Sequence, residues 1–183
     1  MFFKSPSDWE AWLEKKQGTT QGIWIQFAKK DSGIKGVTYP QALDVALCYG
    51  WIDGQKASLD AQYWLQRFTP RRTRSKWSEI NCQKAAELAA QGRMRPSGLK
   101  EVDAAKKDGR WDQAYKSQRN MSVPEDFQKE LAKSPKAAAF FKDLNSANRY
   151  AVLYRIHDAK KAETRARRIR QFIEMLNEGK KLH

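Results

Sequence analysis

Two stretches of the chain alternate apolar and polar residues with a period of two, and this repeat constrains the fold more than any other feature. Between Gly22 and Ala28, Ile23, Ile25 and Phe27 alternate with Trp24 and Gln26, the side-chain repeat of a strand. Bulk on both parities predicts cover on at least one side and part of the other. A second alternation runs from Gln55 to Thr69, with Leu59, Tyr63 and Leu65 on one parity and Trp64 and Phe68 on the other. It predicts one or two antiparallel strands ending at Pro70, where the missing amide stops a ladder. Asp53-Gly54 reads as a turn in front of it.

Elsewhere apolar residues recur three and four apart, as on helices. Ser5-Pro6-Ser7-Asp8 reads as an N-cap with proline in the first turn; Trp9, Trp12 and Leu13 follow on one face, with Gly18 as the stop. Thr38 and Gln41 have capping-box spacing ahead of Leu43, Ala46 and Leu47, a helix ended by Gly50. Ser75 is expected to cap a helix carrying Trp77, Ile80, Ala85, Leu88 and Ala89 and closed by Gly92. Leu99 and Val102 mark a short helix closed by Gly109. After Arg110-Trp111 the pattern loosens through Gln118-Arg119-Asn120, read as a linker. Beyond it, helices start at Pro124, at Ser134-Pro135 and at Ser146, and a last one runs from about Ala162 to Glu178. No fixed-period repeat is present. The expected fold is α+β, a small antiparallel sheet packed with helices over residues 1–118, followed by an all-helical C-terminal segment over 119–183.

Composition bears on partners. A chain of 183 residues buries a sizeable core, and 40% hydrophobic residues with seven Trp exclude disorder. No apolar run approaches the roughly 18 residues of a membrane span. Only Phe2 and Phe3 precede the first charges, too little for an export signal, so a cytoplasmic location is expected. The net charge of +14 predicts an anionic macromolecule or acidic protein surface as partner, with nucleic acid possible. Cys48 and Cys82 form no C-x-x-C pair and have no histidine nearby, so they read as small hydrophobes. His157 and His183 are too few for a metal cluster or triad, and Gly92 and Gly98 do not bracket a Gly-Lys-Ser/Thr phosphate loop. The sequence calls for no cofactor, no metal and no catalytic residue.

The charge is concentrated in two stretches, Arg67 to Lys76 and Lys160 to Arg170. Because Pro70 interrupts the strand, Arg67, Arg71, Arg72, Arg74 and Lys76 are expected in and around a loop whose guanidinium groups fan outward to meet phosphate or carboxylate oxygens. Trp64 and Trp77 could stack bases beside it, but their spacing favours the core. On the last helix, a wheel places Ala162, Ala166, Ile169, Ile173 and Leu176 in one buried stripe. Arg165 and Arg168 flank that stripe on one side and Arg170 on the other; Arg167 lies nearly opposite, and Glu163 and Glu174 are the main relief. Like charges at this spacing destabilise a helix, so either an anionic partner or internal carboxylates are expected to meet them. A separate pocket is conceivable from Trp51, Asp53, Ser75, Trp77 and Asn81. A hydrolytic reading would take Asp53 or Asp60 as base, with Arg67 or Arg71 steadying an oxyanion. The favoured reading of Asp53 is structural, an Asx-turn or an arginine pair.

The run Ala46-Leu47-Cys48-Tyr49-Gly50-Trp51-Ile52-Asp53-Gly54 is followed in order by Phe68-Thr69-Pro70-Arg71, Ser75-Lys76-Trp77-Ser78, Asn81 and Gly92-Arg93-Met94. Together these resemble the YdeI/OmpD-associated family, also labelled bacteriocin-protection proteins. Ala159-Lys160-Lys161, Glu163-Thr164-Arg165, Arg168-Ile169 and Glu178-Gly179-Lys180 resemble that family's C-terminal helical segment, while Arg155-Ile156-His157 stands where a tryptophan-containing pair is expected. The resemblance implies an association with an outer-membrane porin and with resistance to bacteriocins or cationic antimicrobial peptides. It implies no catalytic residues. The expected function is a non-enzymatic cationic interaction protein that binds an anionic partner through arginine-rich surfaces. The alternatives are a nucleic-acid binder of low sequence specificity and a small-molecule binder or enzyme with a pocket near Asp53 and Arg71.

Overall fold

The alternating stretches become three strands, β1 (Ile23–Ala28), β2 (Trp51–Ser58) and β3 (Tyr63–Pro70), in one antiparallel sheet with β3 in the middle. The computed structural model describes residues 1–118 and 120–182; Arg119 of the expected linker and His183 lie outside the described residues. The chain divides into two compact units, Met1–Ala114 and Tyr115–His183.

Register decides which parity of β3 is buried. Ile25 pairs with Gln66, Phe27 with Trp64 and Ile23 with Phe68, and paired residues share a face. The core side therefore holds Ile25, Phe27, Gln66 and Phe68, with Trp64 stacked on Phe27 at 4.9 Å. Leu59, prominent on the opposite parity, is 44% exposed. The buried Gln66 donates from Nε2 to the Gly54 carbonyl at 2.9 Å, which satisfies an amide that would otherwise be costly there. β2 begins at Trp51, earlier than the alternation suggests. Asp53-Gly54 is not a turn: it lies inside β2, where the register shifts between Asp53 and Lys56 as a bulge. The turn joining β2 to β3 belongs to Asp60, whose Oδ1 accepts from the Gln62 and Tyr63 amides at 2.8 and 2.7 Å.

Helix α1 (Pro6–Lys16) starts at the Ser5 cap, whose Oγ accepts from the Asp8 amide. Helix α2 (Tyr39–Cys48) starts where the Gln41 side chain accepts from the Thr38 amide at 3.0 Å. Trp9 of α1 donates from its indole to the Ala42 carbonyl of α2 at 3.1 Å and meets Trp51 and Phe68 of the sheet at 6.0 and 5.9 Å. Helix α3 (Glu79–Ala90) is capped by Ser78, not Ser75. The helix phase moves by three residues, Trp77 precedes it, and Ile80 is left 49% exposed. Helix α4 (Pro96–Lys107) is longer than expected, because Pro96 opens it in the position where proline is best tolerated. It packs on α2 through Gly98: a Cβ there would fall 2.2 Å from the Cys48 carbonyl oxygen.

The second unit holds α5 (Glu125–Ala132), α6 (Pro135–Asp143), α7 (Ser146–Asp158) and α8 (Ala162–Asn177), around Phe127, Phe141, Val152, Ile156, Ile169, Phe172 and Leu176. Asn145, rather than Ser146, caps α7. The buried stripe of α8 is Ile169, Phe172 and Leu176, while Ala162 and Ala166 are exposed. Burying a phenyl ring removes more apolar area from water than burying two methyl groups, so the helix turns toward Phe172. Among the described residues no helix is long and apolar enough to cross a membrane.

Gly98→Ala is expected to destabilise the chain by about 3 kcal/mol, since neither backbone can yield without strain. Gly18→Ala, where nothing lies within 4 Å of the added carbon, is the control. Urea midpoints of the two variants check this.

Candidate functional site

Arg71 follows the last residue of β3, and its amide donates to the Gly50 carbonyl at 2.9 Å. Its side chain does not fan outward as the loop reading expects. It is 7% exposed, its guanidinium carbon lies 3.5 Å from the Trp77 ring centroid, and Nη1 donates to the Lys76 carbonyl at 3.1 Å. Trp77 in turn packs on Trp111 at 5.0 Å. A guanidinium taken out of water needs hydrogen bonds and an aromatic face to offset lost hydration, and Arg71 has both. It anchors the loop.

The loop is fixed at a second point. Ser75 Oγ accepts from the Arg72 amide and the Ser75 amide donates to the Arg72 carbonyl, both at 2.8 Å. Arg110, held by Asp108, donates from Nη1 to the Ser75 carbonyl at 2.8 Å. Two arginines thus grip the carbonyls of Ser75 and Lys76, while Arg72, Arg74 and Lys76 are exposed. Arg67 sits half-buried on β3. Among the described residues Arg67, Arg72 and Arg74 enter no ion pair. Trp77 is in the core and Trp64 is engaged by Phe27 and by Lys56, whose Nζ lies 4.4 Å from its ring centroid. Neither offers a free plane to a base.

The second arginine stretch is arranged differently. Arg165 binds Asp126 through Nε and Nη2, the latter at 2.9 Å, and the Ile156 carbonyl through Nη1 at 2.8 Å. Arg168 donates to the Arg155 carbonyl and lies 3.8 Å from Asp158. These two do not line an outward cationic face: they tie α8 to α5 and α7. What remains exposed is Arg167 and Arg170 with Glu163 and Glu174, at spacings of four that pair opposite signs. The exposed face of α8 is balanced.

The five expected pocket residues are each engaged within the fold. Trp51 and Trp77 are core residues, Ser75 holds the turn, and Asn81 is buried on the first turn of α3. Among the described residues Asp53 makes neither an Asx-turn nor an arginine pair; its Oδ2 accepts from the Tyr39 hydroxyl at 2.8 Å. Asp60, the other carboxylate considered as a base, is used by the β2–β3 turn. Of the five, Trp51, with Arg71, borders a cleft in this unit of about 640 Å³.

That cleft was not visible in the sequence. Tyr49, Gly50, Trp51 and Pro70 form its floor, the end of α1 supplies Glu14 and Gln17, and the start of α4 supplies Arg95, Ser97, Lys100 and Glu101. Four separated segments meet there, and the one local signal is Gly50, at φ +75° with Ser97 and Glu101 packed over it. The Tyr49 hydroxyl donates to Glu14 at 3.0 Å, and Arg95 donates to Glu10 at 2.9 Å. Burial, reinforced by the bond to Glu14, pushes the Tyr49 phenol up to about 12. Burial also pushes the Cys82 thiol up to about 11 and raises that of Cys48, so both are poor nucleophiles. Among the described residues no three His, Cys, Asp or Glu side chains come together to hold a metal ion. His157 meets the Ser122 carbonyl at 3.1 Å.

Residues 1–101 match the model of a domain of unknown function (DUF8412). Residues 120–179 match the model described as Bacteriocin-protection, YdeI or OmpD-Associated. No curated protein and no solved structure matches the chain.

The Arg165 guanidinium holds the Asp126 carboxyl below the usual carboxylate range. A lowered folded value means stability that is present above the unfolded carboxylate value of about 3.9 and lost as pH falls through the folded one. Asp126→Asn is expected to lower stability at neutral pH by less than about 1 kcal/mol, read as a lower urea midpoint, since water screens a half-exposed pair. The gap to the parent chain should close in strong acid; equal midpoints at neutral pH would show that the pair contributes nothing.

Proposed function

The chain belongs to the DUF8412 family, and from that premise we propose that it is a non-enzymatic interaction protein that binds an anionic partner through the turn after β3. The observation that carries this reading is the exposure of Arg72 and Arg74 on a turn held by Arg71 and Arg110, with no carboxylate bound to either among the described residues. A turn already ordered loses little conformational entropy on binding, and arginine forks match the paired oxygens of phosphate, sulfate or carboxylate. The second segment brings the bacteriocin-protection description, so the binding is proposed to serve resistance to bacteriocins or cationic peptides by occupying anionic sites. The expected double patch contracts to one, because the exposed face of α8 carries both signs. The location proposed with this reading is cytoplasmic.

Dextran sulfate, labelled for fluorescence, tests the binding. The full chain is expected to bind it with an affinity that falls steeply as salt rises, through release of condensed counterions. Arg72→Glu with Arg74→Glu should weaken it at least about tenfold at low salt and leave the thermal midpoint unchanged. Cells lacking the chain should regain bacteriocin survival with the parent gene and not with the double variant. Unaltered binding, or equal rescue, overturns the reading.

A further inference from the structure

The cleft between the end of α1 and the start of α4 borders the proposed anion-binding turn at Arg71 but is lined by neither Arg72 nor Arg74, and its charges are arranged differently. Arg95 is shared between Glu10 and Glu14, at 2.9 and 3.5 Å, and Glu14 also accepts from Tyr49. The Arg71 guanidinium is committed to Trp77 and the Lys76 carbonyl. Removing these matched groups from the lining leaves one cation and one anion, Lys100 and Glu101, which enter no ion pair or side-chain hydrogen bond among the described residues. Neighbouring positions on a helix point about 100° apart, so the two cannot neutralise each other.

Glu101 is held in place. Its Cγ lies 3.0 Å from where a Cβ would stand on Gly50, so the side chain lies across a glycine in the cleft floor and is half-buried. Lys100, one residue earlier, is exposed and free to swing on a flexible stem. A Ser97 hydroxyl bond to Gln17, 3.0 Å long, ties the two walls together, which makes the opening a built feature. Its volume, about 640 Å³, falls within the roughly 300–1,000 Å³ of small-molecule sites.

We propose that this cleft binds a small zwitterion of the amino-acid or dipeptide class, its ammonium group on Glu101 and its carboxylate on Lys100. A purely anionic ligand would face the Glu101 carboxylate, and a purely cationic one would leave Lys100 unmatched. A molecule with both charges meets both and buries neither alone. The aliphatic middle of such a ligand lies over Pro70 and Pro96, which also line the cleft.

Calorimetric titration of the full chain with alanylleucine, N-acetyl-alanylleucine and alanylleucine amide tests this. The free dipeptide is expected to bind saturably in the micromolar to millimolar range. Each cap, by removing one charge, should weaken it at least about tenfold, the effect of losing one charged hydrogen bond. Glu101→Gln should abolish discrimination against the acetylated form only, and Lys100→Ala discrimination against the amide only. Lys100 is exposed and Glu101 half-buried against Gly50, and unchanged thermal midpoints will show that the variants fold. Absence of saturable heat with the free dipeptide up to tens of millimolar, or binding that survives either cap, overturns the proposal. The double variant at Arg72 and Arg74 should bind the dipeptide like the parent chain, so failure of the turn reading and failure of this one give different results.

Discussion

Arg71 leaves the end of β3 with its guanidinium turned under the chain and stacked on Trp77. Its amide is tied to Gly50 and its Nη1 to Lys76. Three features depend on that one buried cation. It closes the sheet against the stretch before α3, it fixes the turn that presents Arg72 and Arg74, and its backbone bond sets the floor of the cleft beside Gly50 and Trp51. A buried charge is expensive unless it is engaged, and the Trp77 face and the Lys76 carbonyl supply that engagement. Lysine could not take its place: a point charge on a flexible stem has no planar face to lay on an indole.

Net charge told less than its placement. Met1–Ala114 carries nineteen basic and thirteen acidic residues, and Tyr115–His183 sixteen and eight, so by count the second unit is the stronger cation. Its geometry reverses the ranking. Arg165 and Arg168 are spent on Asp126, Asp158 and two backbone carbonyls, and the two remaining exposed arginines of α8 share their face with two glutamates. The first unit, with the smaller excess, keeps two arginines on a rigid turn with no ion pair among the described residues. A salt bridge inside the fold and a binding arginine are indistinguishable by composition; they differ only in whether a carboxylate is within reach.

Several elements were legible because their signals are local. The Ser5 cap, the Thr38–Gln41 box, the prolines at 6 and 135 and the alternation from Ile23 to Phe27 each involve neighbours a few residues apart, and the α+β class follows from the change of period. Errors arose where two local signals competed. Ser75 stands three residues before Ser78, the residue that caps α3, and a helix begun at Ser75 would turn Ile80 inward, whereas the structure leaves it half in water. Asp53-Gly54 has turn chemistry, yet pairing with β3 draws it into a strand as a bulge. On α8, the alanine stripe and the phenylalanine stripe differ by less than one turn, and only the neighbouring helices select between them.

The family resemblance and the helical second segment were readable in short ordered motifs, and the second segment matches that family's model. The cleft was not readable at all. Its lining comes from α1, the Tyr49–Trp51 turn, Pro70–Arg71 and α4, and no spacing rule links those segments. By itself the sequence determined the α+β class, the starts of the first two helices and the total charge, because capping, periodicity and ionisation depend on residues adjacent in the chain. Tertiary structure alone decided which arginines face water and where a cavity opens. Those outcomes depend on partners such as Asp126 for Arg165, 39 positions away, or Gly50 for Ser97, which only packing brings together.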